Sequence, residues 1–250
     1  MIPGTPGSRS SRVQGLVAEQ AARRGARVGV VDVCAAAVAA LPVSGAGVSA
    51  MSPATAGHPL CGTDETSRRL EELQLTLGEG PCLDAHALGM AVLTPDLDSG
   101  DAQTRWPVFA PAAADAGAGA VFAFPLQIGA ISPGVLDLYR REPGTLDAEQ
   151  LADAMAFADT ATLLLLGTRT DTELGGYRAE IDQATGMLTE QLGVGIEEAF
   201  VRLRAYSYAD GRRLAEVAAD VVARRLRLSP DPAPDPDPDP DSSTEGVHDG

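Results

Sequence analysis

Four arginines near the C-terminal end, Arg202, Arg204, Arg212 and Arg213, lie on or beside the turn between two helical patterns. Guanidinium groups clustered in this way present planar forks that fit anionic oxygens and stack on flat rings. The plain alternative is a set of solvated faces paired with Glu198, Asp210 and Glu216. Tyr206 and Tyr208 close the same helix and could stack on a flat ligand or simply pack half-buried. The other reactive groups are three cysteines, Cys34, Cys61 and Cys82. An odd number cannot pair fully, and none stands in C-x-x-C spacing, so free thiols in a reducing compartment are expected. Cys82 follows a Gly-Glu-Gly-Pro turn, and His58 and His86 lie near the thiols in sequence, but no triad follows from their spacing. The alternative for each thiol is a small buried apolar side chain. Trp106, just before Pro107, reads as a core or pocket-wall residue.

The arginine cluster is positioned by three helical patterns in a region expected to run over residues 177–228. The first carries Tyr177, Ile181, Ala184, Leu188 and Leu192. The second carries Ile196, Ala199, Phe200 and Leu203 behind an N-cap at Gly195. The third is expected to start at the N-cap Asp210 and to end with Arg224, Arg225 and Arg227, where cations suit a helix C-terminus. Ala184 and Gly186 are too small for chemistry; their small size lets another surface or helix come close.

Before this unit, helices are expected over 12–24, 30–41, 64–77, 106–116 and 147–166. Strands are expected over 46–51, 91–94, 120–128 and 134–139. Thr63 or Asp64 can cap the third of these helices, and the last should bury Leu151, Ala154, Met155, Ala158 and Leu165. Gly129 and Pro133-Gly134 read as the turn between the last two strands. This order gives an α+β domain with a largely antiparallel sheet. Five pieces result: a flexible N-terminus with a short helix over 1–27, the α+β domain over 28–167, a linker over 168–176, the helical unit over 177–228, and a Pro/Asp tail over 229–250 that is expected to be extended and disordered.

The chain has 250 residues and a net charge of -16. All 19 basic residues are arginine. Eleven arginines face 20 acids up to Glu173, eight face eight over 174–228, and the remainder holds seven acids and no base. Strong non-specific binding to a polyanion needs clustered cations and is not expected; any such contact must be local and guided by shape. The acidic tail either confers solubility or competes for the arginine surface. No apolar run approaches the roughly 20 residues of a membrane helix. Arg9 and Arg12 precede no continuous apolar region of a secretory signal, so a cytoplasmic location is expected.

The stretch from Ile181 to Gly193 (IDQATGMLTEQLG), then Glu198-Ala199-Phe200 with Leu203-Arg204, then Arg213 to Ala218 (RLAEVA), resembles the ANTAR domain. Leu70 to Cys82 (LEELQLTLGEGPC) and Gly144 to Asp153 (GTLDAEQLAD) resemble a GAF domain of the actinobacterial GAF–ANTAR type. The resemblance implies a GAF-like sensor that controls an RNA-binding antitermination module. That module would recognise paired stem-loops in nascent mRNA, generally as a homodimer. It implies an RNA site at Ala184, Gly186, Arg202, Arg204, Arg212 and Arg213, a small-molecule ligand in the GAF-like interior, and no identified cofactor or metal. No receiver pattern is present, so the input is a ligand, redox state or partner rather than phosphorylation. No enzyme activity is expected. The alternative is a cysteine-dependent GAF-fold redox sensor or enzyme acting through Cys61 or Cys82, with the helices as a dimerisation arm. A third reading is a pure interaction protein.

Overall fold

The computed structural model describes residues 6–52, 55–129, 131–167 and 175–229. In chain order the elements are α1 (Pro6–Arg24), α2 (Val30–Ala40), β1 (Gly45–Ser52), β2 (Thr55–Gly62), α3 (Glu65–Leu77), α4 (Pro81–Leu88), β3 (Val92–Thr94), α5 (Gly100–Arg105) and α6 (Phe109–Asp115). They continue with β4 (Ala120–Ile128), β5 (Ile131–Arg140), α7 (Ala148–Gly167), α8 (Gly175–Leu192), α9 (Ile196–Ala209) and α10 (Leu214–Val222). The five strands form one sheet in the order β2-β1-β5-β4-β3, with every neighbouring pair antiparallel. The expected α+β class and antiparallel sheet are both present.

Both faces of the sheet are covered, which is why its central strands read as nearly continuous apolar runs. On one face Val48, Phe122, Phe124, Leu136 and Leu138 pack with Val13, Val33 and Phe157 from α1, α2 and α7. On the other, Val121, Ala123, Val135 and Tyr139 pack with Leu70, Leu73, Cys82, Trp106 and Phe109 from α3 to α6. The period of two along β5 therefore sends Asp137 to the same face as Val135 and Tyr139.

Several elements differ from expectation for identifiable reasons. The first helix begins at Pro6 rather than Arg12, and Arg9 and Arg12 anchor its extra turns to Asp153 on α7. β2 is an additional strand; its Pro59 is tolerated because the strand lies at the sheet edge, where the register slips between Val48 and Ser49. α4 begins with Pro81 at its first turn, a place where proline is at home. The helix expected over 106–116 is shortened to α6, and α5 is an additional helix before it; Pro107 keeps Trp106, between the two, out of the helical region. Pro133 and Gly134 lie inside β5 rather than in the turn. Met155 and Ile196, expected inside, are exposed.

α8, α9 and α10 surround a third core, built from Ile181, Ala184, Leu188, Ala199, Phe200, Leu203, Leu214, Val217, Ala218 and Val221. Gly195 caps α9 as expected. Asp210 closes α9 instead of opening the next helix. Gly211 takes a left-handed φ of 64°, and Arg213, in extended backbone, is the residue that starts α10. α10 ends at Val222, so Arg224, Arg225 and Arg227 lie beyond it. The linker positions 168–174 and the tail from Pro230 fall outside the described residues. No helix among the described residues is long and apolar enough to cross a membrane.

Candidate nucleic-acid interface

The third core is completed from the other domain. Leu75 of α3 is buried within it, so α9 rests directly on α3. Adjacent helical positions point about 100° apart, and α3 uses this to serve two sides.

On the outer side of α3 lie two of the arginines expected to bind RNA. Arg204 donates from Nε to the carbonyl of Thr76 at 2.9 Å, and its guanidinium carbon sits 5.7 Å from the centre of the Phe200 ring. Its fork lies over Gly78, the left-handed residue that ends α3, where any β-carbon would collide with it. Burial lowers the pKa of Arg204 from its ordinary value, yet a guanidinium stays cationic. Arg213 donates from Nε to Glu72 Oε1 at 2.8 Å, and its Nη2 forms an ion pair with the same oxygen. Glu72 is almost fully buried, whereas Arg213 is half exposed.

The remaining candidates are distributed differently. Arg202 pairs with Glu198 at 2.9 Å on α9. Arg212 reaches Asp220 at 2.6 Å, and Arg225 holds the other oxygen of Asp220 at 2.7 Å. The hydrogen bonds from Arg212 and then Arg225 hold the Asp220 carboxyl below its usual range. Gly186 is exposed, with open space around it. Ala184 is completely buried in the helical core, so its small side chain serves helix packing and offers no surface to RNA. Tyr208 is exposed, and Tyr206 packs against the core.

The inner side of α3 carries a buried polar cluster that the sequence reading did not identify. Glu71 accepts a hydrogen bond from Ser49 of β1, and Gly47 beneath leaves the space its carboxylate fills. Gln74 donates from Nε2 to Asp137 Oδ2 at 3.0 Å, while its Oε1 accepts from the Cys82 backbone N–H at 2.7 Å. Burial pushes Glu71 well above the usual carboxylate range, and nearby Asp137 adds to the rise. Burial also pushes Asp137 up to about 6, against the lowering effect of its bonds with Glu71, Gln74 and Cys82. Cys82 is raised well above its usual value by burial and by the Asp137 and Glu71 carboxylates. Cys34 is raised by its hydrogen bond with Cys61 and then by burial. A nucleophilic thiol needs the opposite shift, so these two are not activated. One signal for the cluster was legible: Asp137 is a lone acid inside an otherwise apolar strand run, Val135 to Tyr139.

Comparison with known proteins gives a family match for the helical unit. Residues 176–222 match the family model described as the ANTAR domain. No curated protein matches the chain. Among solved structures, the GAF domain of an Acinetobacter phosphoenolpyruvate-protein phosphotransferase is 10% identical. Its alignment covers 66% of this chain and 96% of that one, with a TM-score of 0.48. The GAF domain of the corresponding Coxiella burnetii protein is 13% identical over 64% of this chain and 96% of that one, with a TM-score of 0.47. A type II free methionine-R-sulfoxide reductase from Thermoplasma acidophilum is 15% identical over 64% of this chain and 96% of its own, with a TM-score of 0.42. The helical unit held on α3 thus matches the ANTAR domain over 176–222, and in the chain it follows the five-stranded sheet domain.

Proposed function

We propose that this chain is an RNA-binding transcription antitermination regulator whose GAF-like domain controls the arginine surface of its ANTAR domain. The observation that carries this reading is that Arg204 and Arg213 both spend hydrogen-bond donors on α3. In the docked state those donors are unavailable to a phosphate or a base edge. Undocking from α3 frees both forks, and with Arg202 and Arg212 they contact stem-loop phosphates and splayed loop bases. A signal received by the GAF-like domain shifts the balance between the docked and free states, and a homodimer presents two such surfaces to paired stem-loops. The Cys82 thiol, buried and with its pKa raised, gives the cysteine-enzyme alternative no support.

The test is a gel shift of the full chain against a tandem stem-loop RNA and a scrambled control, with Arg204→Ala and Arg213→Ala beside it. Binding specific to the stem-loops and lost in both variants supports the reading. Equal binding to scrambled RNA, or specific binding unchanged in both variants, overturns it.

A further inference from the structure

We propose that Glu71, Cys82 and Asp137 form a binding site for a thiophilic divalent transition-metal ion, with zinc as the best match to the donors. The three come from α3, α4 and β5, and one ligand atom from each lies within 4.8 Å of the other two. All three are buried, at 2%, 2% and 4% exposure.

Each carboxylate has one oxygen tied to a donor outside the cluster and one without such a donor. Ser49 holds Glu71 Oε2, and Gln74 holds Asp137 Oδ2. Glu71 Oε1 and Asp137 Oδ1 are buried with no donor from outside the cluster among the described residues, and what meets them is the contact of Asp137 with Glu71 and Cys82. Neither carboxylate has an ion pair to a basic side chain among the described residues. Two buried acids and a thiol with no compensating cation are costly to ionise. A metal ion supplies that cation and binds the thiol as thiolate, inverting the local preference for protonated groups.

The outer donors suit this role. Ser49 and Gln74 each fix a ligating carboxylate from behind, as the supporting groups of metal sites do. Gln74 also holds the Cys82 backbone, so one amide orients two ligands. One sulfur and two oxygens favour zinc, cobalt or iron over magnesium or calcium, which prefer oxygen alone. Metal–sulfur and metal–oxygen bonds of about 2.0–2.3 Å require the ligand atoms to close by up to about 1 Å. Three protein ligands leave a fourth position for water or a small ligand.

The experiment uses the full chain, stripped with a chelator and titrated with Co²⁺, whose visible spectrum reports coordination directly. The expected result is one Co²⁺ per chain with an intense thiolate-to-cobalt charge-transfer band, displaced by Zn²⁺. Cys82→Ser abolishes the band, Asp137→Asn weakens binding at least about 100-fold, and Cys34→Ala and Cys61→Ala leave both unchanged. Circular dichroism confirms that each variant is folded. Should Cys82→Ser not fold, the band in the parent chain and its persistence in the Cys34 and Cys61 variants still identify the thiolate. No stoichiometric binding, or a spectrum lacking the thiolate band, overturns the site and leaves a proton shared between the two carboxyls. Since this readout involves no RNA, its outcome is separate from that of the gel shift.

Discussion

Glu71 and Glu72 are neighbours in the chain, and their carboxylates serve opposite sides of α3. Glu71 meets Ser49 on the sheet side, and Glu72 meets Arg213 of the ANTAR domain. Gln74 and Leu75 repeat the division one turn later, the first bound to Asp137 and the second buried among the ANTAR helices. A helix moves as a rigid piece, so a displacement of Glu71 is also a displacement of the support for Arg213. Shifts of 1–2 Å are the ordinary size of such helix movements.

Replacing Glu72 with glutamine should release Arg213 without opening a large void. A partly exposed pair of this kind contributes about 1 kcal/mol, so stem-loop RNA should bind roughly five-fold more tightly. Titration of the RNA by fluorescence anisotropy reads this directly. Weaker binding than the parent chain would show that the pair assembles the RNA surface instead of masking it.

Gly78→Ala places a β-carbon where the Arg204 fork lies and forces alanine into a left-handed φ of 71°. The backbone strain alone should cost about 1–2 kcal/mol. Gly89→Ala is the control: its φ is 64°, but its neighbour is Gln127. Both variants should melt at lower temperature, and only Gly78→Ala should change RNA affinity. Matching RNA affinities in the two variants would remove the Arg204–Gly78 contact from the account.

Leu75→Ala should cost about 2–4 kcal/mol and act mainly on the ANTAR helices. Trp106 lies within the core of the sheet domain and reports on that domain alone. In a denaturant titration, circular dichroism should begin to change before Trp106 fluorescence in this variant. Coincident curves would mean that the two domains unfold as one even without Leu75.

Acid should weaken the start of α3. Burial raises the pKa of Asp64, but hydrogen bonds from Tyr139 and Ser67 outweigh it, and the net shift is downward. A depressed carboxyl adds stability above its unfolded value of about 4 and loses it as pH falls through the folded value. Tyr139 donates to Asp64 Oδ2 at 2.6 Å. Tyr139→Phe should therefore cost about 1.5 kcal/mol at neutral pH. Denaturation midpoints of the parent and variant should converge as the pH drops below 4. A gap that stays constant across that range would exclude the Asp64 charge as its source.

The sequence was most informative where local periodicity and capping decide structure. Asp64 and Gly78 bracket α3 by ordinary helix-end chemistry, and α8 and α9 follow from their apolar spacing. It was least informative where tertiary context overrides local signals. Pro133 reads as part of a turn, yet it lies inside β5, and β2, which contains Pro59, was not expected as a strand. The arginines at 204 and 213 were legible as a cluster, but their partners Thr76 and Glu72 lie over a hundred positions away, and no local spacing encodes that pairing. Glu71, Cys82 and Asp137 were illegible together for the same reason, since only the folded sheet gathers them.

Leu75 also constrains how this architecture can be inherited. It belongs by sequence to the first domain and by packing to the second. A recombination event that moved residues 175–229 onto another sensor would leave behind part of their core. The recipient would need an outward leucine on its own helix, an acid three residues before it, and a residue without a β-carbon three residues after it. Exchange of whole domains is therefore restricted to sensors carrying that face. The sheet domain produced alone would expose a leucine with nothing to cover it.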